Sequence, residues 1–390
     1  MLFKAAHVML YGLCFAGFMS QCWELLIKFS KGLTTMSILN TLPSNGGLDL
    51  PRISICPDPP FSQTRLSELG LSQESWDVNQ FSTDYQGTTQ WPITSEDDSN
   101  LYDQSTHSFQ EVVQTAVFVE SQKKALRLDQ KQYYKETNTW YNGKCFTFLL
   151  EGISATTESL LRIDLKHVFG NETGRFKMFI HDHGMEMALV NQYWLTSKKE
   201  VLDLYPGTIN DILIRKHYQK LLPSGKQSLK HCQTTWNSAD YYSCIDGFMQ
   251  ELRKPFFCHS PFDFALNQSF FANQNPVCTT FNFTKGLINS QRKAFIKRHF
   301  SERCLESCNL VFYKASATET KIFGNNETRI RLAYSTMSST NEEEVYIYDA
   351  ISIISSLGGS LGLYLGFSVL EVGRYLLKAI QNHFLKNNKE

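Results

Sequence analysis

AISIISSLGGSLGLYLGFSVL, the run from Ala350 to Leu370, contains no Asp, Glu, Lys or Arg. About twenty helical residues cover the roughly 30 Å hydrocarbon core of a bilayer, whereas a buried helix of a water-soluble domain is usually shorter. A second uncharged run, AAHVMLYGLCFAGFMSQCW, extends from Ala5 to Trp23. Lys4 before it and the small residues Ala16, Gly17 and Ser20 within it fit a secretory signal, but the apolar character resumes at Leu25, Leu26 and Ile27 with no small-x-small cleavage site. It therefore reads as a retained span. The expected division is a cytosolic N-terminus (1–4), a first transmembrane helix (5–27), an extracellular domain (28–346), a second transmembrane helix (347–377) and a cytosolic tail (378–390).

Composition agrees with this layout. The 390 residues balance 38 Lys plus Arg against 38 Asp plus Glu, and no basic run follows a phosphate backbone, which argues against nucleic acid as a partner. Charged residues make up 19%, below the roughly 25% of soluble domains, and the deficit sits in the two apolar runs.

The side that the middle region faces follows from its cysteines and sequons. Cys56, Cys145, Cys232, Cys244, Cys258, Cys278, Cys304 and Cys308 lie between the runs, an even set suited to disulfides, whereas Cys14 and Cys22 fall inside the first span. Acceptor sequons begin at Asn171, Asn267, Asn282 and Asn326, all in the same region. Lys4 at one end and Lys378, Lys386 and Lys389 at the other match the basic excess of cytosolic flanks. Both ends are thus expected in the cytosol, with an oxidised, glycosylated domain outside.

Within that domain, Arg52 to Cys56 reads as a strand ended by prolines, and Asn142-Gly143 as a turn before the aromatic strand that follows it in WYNGKCFTFLL, Trp140 to Leu150. Arg175 to Ile180 alternates as a strand, followed by His181-Asp182-His183-Gly184. Neighbouring strand residues point to opposite faces, so a turn is favoured there over a metal site. The acidic cluster Glu96-Asp97-Asp98 reads as a solvated loop face. A helix is expected from Phe295 to Ser307. Zinc at Cys258-His259 is disfavoured, since no Cys-x2-Cys pair exists and the compartment is oxidising. No Gly-x-Ser-x-Gly elbow, phosphate-binding Gly loop or His-Glu-x-x-His occurs, so no enzyme, metal site or cofactor is expected.

The second span is more than greasy. Gly358, Gly362 and Gly366 recur every fourth residue and form a smooth strip on a helix, which by itself signals close helix packing. Ser352, Ser355, Ser356, Ser360 and Ser368 add hydroxyls at membrane depth, where lipid offers no partner. Glu371 and Arg374 would each cost about 3 kcal/mol near the bilayer centre unless paired or hydrated. A water-lined face satisfies all three.

Gly358 to Glu371, GGSLGLYLGFSVLE, resembles the second-span signature of degenerin/epithelial sodium channels and acid-sensing ion channels, with Gly366-Phe367-Ser368 in the place of the Gly-x-Ser filter. LPRISICP (Leu50 to Pro57), NGKCFTF (Asn142 to Phe148) and CLESCN (Cys304 to Asn309) resemble, in order, three further family elements, so the resemblance covers nearly the whole chain. It implies three subunits around one pore and a hand-like α+β ectodomain with palm, finger and cysteine-rich thumb. It also implies a filter at Gly366, Phe367 and Ser368 and a pore lining and gate at Ser355, Ser356, Gly358, Gly359, Gly362, Glu371 and Arg374. Ser355 matches the small residue whose enlargement holds family channels open.

The implied function is a subunit of a plasma-membrane, sodium-selective, amiloride-sensitive, ligand- or mechanically gated cation channel. Its expected partners are related subunits in a homo- or heterotrimer, membrane lipid, sodium ions and an extracellular ligand. Two departures suit the alternative of a non-conducting modulatory, receptor or adhesion subunit: the His-Gly motif has no counterpart in Met1 to Lys4, and Arg374 stands where glutamate is usual. Ser356 also replaces an acidic residue of the outer mouth. The usual family partners of Cys56 and Cys145 are also absent, so the resemblance implies that these two pair with each other.

Overall fold

A computed structural model describes residues 2–32, 34–43, 46–69, 104–120, 124–139, 143–169, 174–183, 200–222, 232–233, 240, 244, 304, 306–321, 327–347 and 349–365. In chain order the elements begin α1 (Leu2–Ser30), β1 (Thr34–Thr41), β2 (Leu48–Asp49), β3 (Arg52–Asp58), α2 (Gln63–Glu68), α3 (Phe109–Val112), β4 (Val113–Glu120), β5 (Lys124–Arg127), β6 (Tyr134–Thr139) and β7 (Gly143–Phe148). They continue as β8 (Ser154–Ala155), β9 (Leu160–Leu165), β10 (Arg175–His181), β11 (Glu200–Leu204), β12 (Thr208–Lys220), β13 (Cys232–Gln233), β14 (Glu306–Ser307), β15 (Asn309–Lys321), β16 (Thr328–Tyr334), β17 (Ser339–Tyr346) and α4 (Ala350–Leu365). The chain divides into two units, one of residues 1–37, 222–231 and 343–390, the other of residues 38–221 and 232–342.

The second unit is built on two main sheets. The larger has the order β1-β17-β12-β16-β9-β4-β5 with β15 also on β12, and the smaller the order β11-β10-β3-β7-β6. Alternation in the strands supplies the core. Ile212 and Ile214 of β12, Ile330 and Leu332 of β16 and Leu161 and Ile163 of β9 share one buried cluster with Ile53, Ile55, Phe146, Phe148, Phe176 and Met178 of the smaller sheet. Phe109 of α3 stacks on Tyr134 with ring centroids 3.6 Å apart and meets Phe146 edge-on. The opposite face of the larger sheet is charged. There Asp164 accepts hydrogen bonds from Thr115, Arg162 and Arg329. Burial pushes this carboxyl up, but those bonds outweigh it and hold its pKa below the usual range.

Three strand readings are found in place, two of them extended, β3 to Asp58 and β10 to His181, a residue expected in the turn that follows. Gly143 opens β7 at φ +63°, where a Cβ would meet the Pro60 carbonyl oxygen at 2.9 Å, so glycine is required at this turn. His181 closes β10 as a buried residue, and His183 follows in a turn. Strand β3 runs past Pro57 to Asp58 because β10 pairs along its whole length. Strand β7 pairs only with Ile53 to Ile55, so Pro57 has no ladder bond to supply on that side.

The expected helix from Phe295 to Ser307 is corrected at its C-terminal end. Glu306 and Ser307 form β14, parallel to β13. Disulfides Cys232–Cys308 and Cys244–Cys304 tie both flanks of this segment, and the Cys308 amide donates to the Gln233 carbonyl, so tertiary cross-links override helical propensity. Residues 295–303 and 305 lie outside the described residues. A third disulfide joins Cys56 to Cys145 across adjacent strands, Cα to Cα 4.3 Å, the pairing expected for the two cysteines that lack family partners.

His107 is buried at the foot of α3, and its Nε2 has no hydrogen-bond partner among the described residues. Burial lowers its pKa to about 4, with Arg65 adding to the depression and Glu111 opposing it. Between about pH 6.5 and pH 4 the unfolded chain binds the extra proton, so stability is full above that window and falls as pH drops through it, by about 3 kcal/mol at the lower end. Acid unfolding of the full-length protein in detergent should show this slope, and His107→Leu should flatten it. Identical pH profiles for the two proteins would contradict the assignment.

The first unit holds both long helices. α1 displays large apolar side chains on many sides, with Met9, Leu13, Phe15, Met19, Trp23 and Leu26 all exposed in the single chain. Among the described residues no helix is both long and apolar enough to cross a membrane. Gln21, Glu24 and Lys28 interrupt the second half of α1, and α4 is described over 16 residues, about 24 Å of helix.

Candidate pore helix

α4 starts where a carboxylate caps it. The Ser352 amide donates to Asp349 Oδ1 at 2.6 Å, which satisfies one of the orphan N–H groups of the first turn, and the Ile353 amide makes the first intrahelical bond to the Asp349 carbonyl at 3.0 Å. Its glycines and serines do not disrupt the helix because it is packed on α1. At Gly17 of α1 a Cβ would come within 2.9 Å of Tyr364 Cε1, so the helices approach where the side chain is missing.

That contact sorts the residues of α4 by face. Tyr364 lies against α1, and Ser360, one turn before it, is buried and donates its hydroxyl to the Ser356 carbonyl at 2.7 Å. Successive residues rotate by about 100°, so Ser355, Gly358 and Gly362 gather on the side away from α1, with Gly359 at its margin. Ser355, Gly359 and Gly362 are exposed, Gly358 is half-buried, and a Cβ at Gly359 would meet nothing within 4 Å. The flanks of this open strip carry Ile354 and Leu363, both exposed and apolar. Chemically, the strip offers bare backbone and one hydroxyl, with the exposed Ile351 one turn before Ser355 on the same side and branched hydrocarbon at its flanks.

The sequence-derived residues are therefore distributed unevenly. Ser355, Gly358, Gly359 and Gly362 come together, whereas Ser356 is half-buried and turned toward the α1 side. Gly366, Phe367, Ser368, Glu371 and Arg374 lie outside the described residues, as do Cys258, Cys278 and the acceptors Asn171, Asn267, Asn282 and Asn326. Cys14 and Cys22 are free thiols. His181 is committed elsewhere, its Nε2 2.9 Å from the Ser54 hydroxyl, which in turn is 2.7 Å from that of Thr147. Among the described residues no group of three or more His, Cys, Asp or Glu side chains could hold a metal ion.

Sequence reading passed over Glu344. Its carboxylate is buried and accepts from the Thr34 hydroxyl at 2.7 Å and the Leu222 amide at 3.0 Å. The signal was in the run Glu342-Glu343-Glu344, because on a strand the first and third share one face and the second points away.

No curated protein matches the chain. Among solved structures, a proton-activated chloride channel determined by cryo-electron microscopy covers 98% of this chain and 100% of its own at 8% identity and a TM-score of 0.36, an overlap too loose to carry a conclusion. The family pattern for the amiloride-sensitive sodium channel matches residues 2–372, a stretch that includes α1, both sheets, the three disulfides and α4. The chain therefore belongs to the amiloride-sensitive sodium channel family, a family of ion channels, not enzymes, that work without a cofactor.

Proposed function

We propose that the protein is a subunit of a trimeric, sodium-selective channel of the plasma membrane. α1 and the helix begun by α4 span the bilayer, residues 28–346 lie outside, and both ends are cytosolic. The observation that carries this reading is the open strip of Ser355, Gly358, Gly359 and Gly362, turned away from α1. Three such strips around an axis enclose a narrow column of water bordered by backbone and hydroxyl oxygens, groups suited to a hard monovalent cation. Gly366 carbonyls and Ser368 hydroxyls form the filter further along the same helix, with Glu371 one turn below supplying negative charge. The outer mouth near Ser355 takes amiloride-type blockers, and ligand or force acting on the ectodomain opens the gate.

The experiment is a current recording from cells expressing the chain alone. A sodium-selective current that falls about tenfold or loses its selectivity in Ser368→Ala supports the reading, that loss being the scale expected when one coordinating oxygen is removed. A current unchanged by Ser368→Ala would displace the filter. A second reading, a silent modulatory subunit, draws on Arg374, whose positive charge at the inner mouth opposes cations. It predicts current only on co-expression with a related subunit.

A further inference from the structure

We infer that Glu344 is a strap that sets the spacing of α1 and α4, an inference that rests on the reading of α4 as the pore helix. Three chain segments meet at its carboxylate. Thr34 stands just past the end of α1, Glu344 just before the start of α4, and Leu222 just beyond β12. Oε1 accepts the Thr34 hydroxyl at 2.7 Å and Oε2 accepts the Leu222 amide at 3.0 Å, so each oxygen is bound to a different segment. A carboxylate only 9% exposed is costly unless its oxygens are satisfied, which makes the arrangement a committed joint and not a chance surface contact.

The strap has a second fixed point to work against. Along the helices themselves, Gly17 of α1 lies against the Tyr364 ring with no room for a Cβ. Held at the strand ends by Glu344 and along their length by Gly17 and Tyr364, the two helices move as one piece. Tyr364 stands two residues before Gly366 in sequence, so slack at the strap would bear on the proposed filter. Glutamine at 344 is the conservative replacement. Its amide N–H donates to the Thr34 hydroxyl while its carbonyl accepts from Leu222, so both links survive without the charge. Leucine breaks both.

The test reads helix spacing without requiring conduction. In the full-length chain with Cys14 and Cys22 replaced by serine, Gly17→Cys and Tyr364→Cys are joined by a short bifunctional thiosulfonate, and the rate is followed by peptide mapping. Glu344→Leu should slow cross-linking by about fivefold or more, the scale of losing two hydrogen bonds, while Glu344→Gln should stay within about twofold. The three extracellular disulfides, mapped in the same digests, should remain intact. Equal rates in all three proteins, or no cross-link in any of them, would overturn the strap. Current recorded from cells expressing the chain with Gly17 and Tyr364 intact reports separately on conduction. Normal cross-linking behaviour without current would sink the channel reading and leave the strap in place.

Discussion

Ser355→Phe is expected to raise the resting sodium current about tenfold at equal surface amount, a bias of about 1.4 kcal/mol between closed and open states. Ser355 is exposed on the face of α4 turned away from α1, near the capped start of the helix. Closing a pore at that level requires small side chains to meet, as the glycines at 358 and 362 on the same strip permit. A phenyl ring occupies the space the closed state needs, and because it projects away from α1 the packing of the two helices is left undisturbed. Recording the variant beside the unmodified chain, with surface biotinylation as the control, checks the expectation. An unchanged resting current would remove Ser355 from the gate.

The second large effect is on folding. Cys56→Ser with Cys145→Ser opens a bond that closes a sequence separation of 89 residues, worth about 4.6 kcal/mol by chain entropy. Total stabilities of about 5 to 15 kcal/mol leave little after such a loss. Both cysteines are fully buried beside Ile55 and Phe146, so the serine hydroxyls would also be set into the apolar core. The double variant should fail to reach the cell surface at 37 °C and recover in part at lower temperature. Normal surface delivery and an unchanged melting temperature would show that the bond is dispensable.

Much of this architecture is legible in local sequence. The absence of charge marks the two long helices, alternation marks the start of β10, and the Asn-Gly pair before an aromatic run marks β7. The order of strands in the larger sheet is not legible. β12 pairs with β17, with β16 in parallel and with β15, contacts between segments far apart in the chain that no local pattern encodes. The segment ending at Ser307 misleads for a related reason, because its helical composition yields to two disulfides.

The candidate site divides in the same way. A strip of small residues every fourth position in α4 is visible in the sequence, but the side on which α1 packs is decided by Gly17 and Tyr364 meeting. The family resemblance groups Ser356 with Ser355 in the pore lining, whereas the packed helix separates them. Glu344 is illegible for the opposite reason. One glutamate in a run of three looks solvated until its partners, from far-apart segments, are brought to it.

The central claim is that the strip of α4 facing away from α1 borders water. Single cysteines at Ser355, Gly358 and Gly362, compared with cysteines at Ile354 and Leu363, should be tested in the expressed chain with a membrane-impermeant thiosulfonate during current recording. Modification of the first three should block current, whereas the flanking pair should be silent. Reaction at the flanks with silence along the strip would contradict the claim.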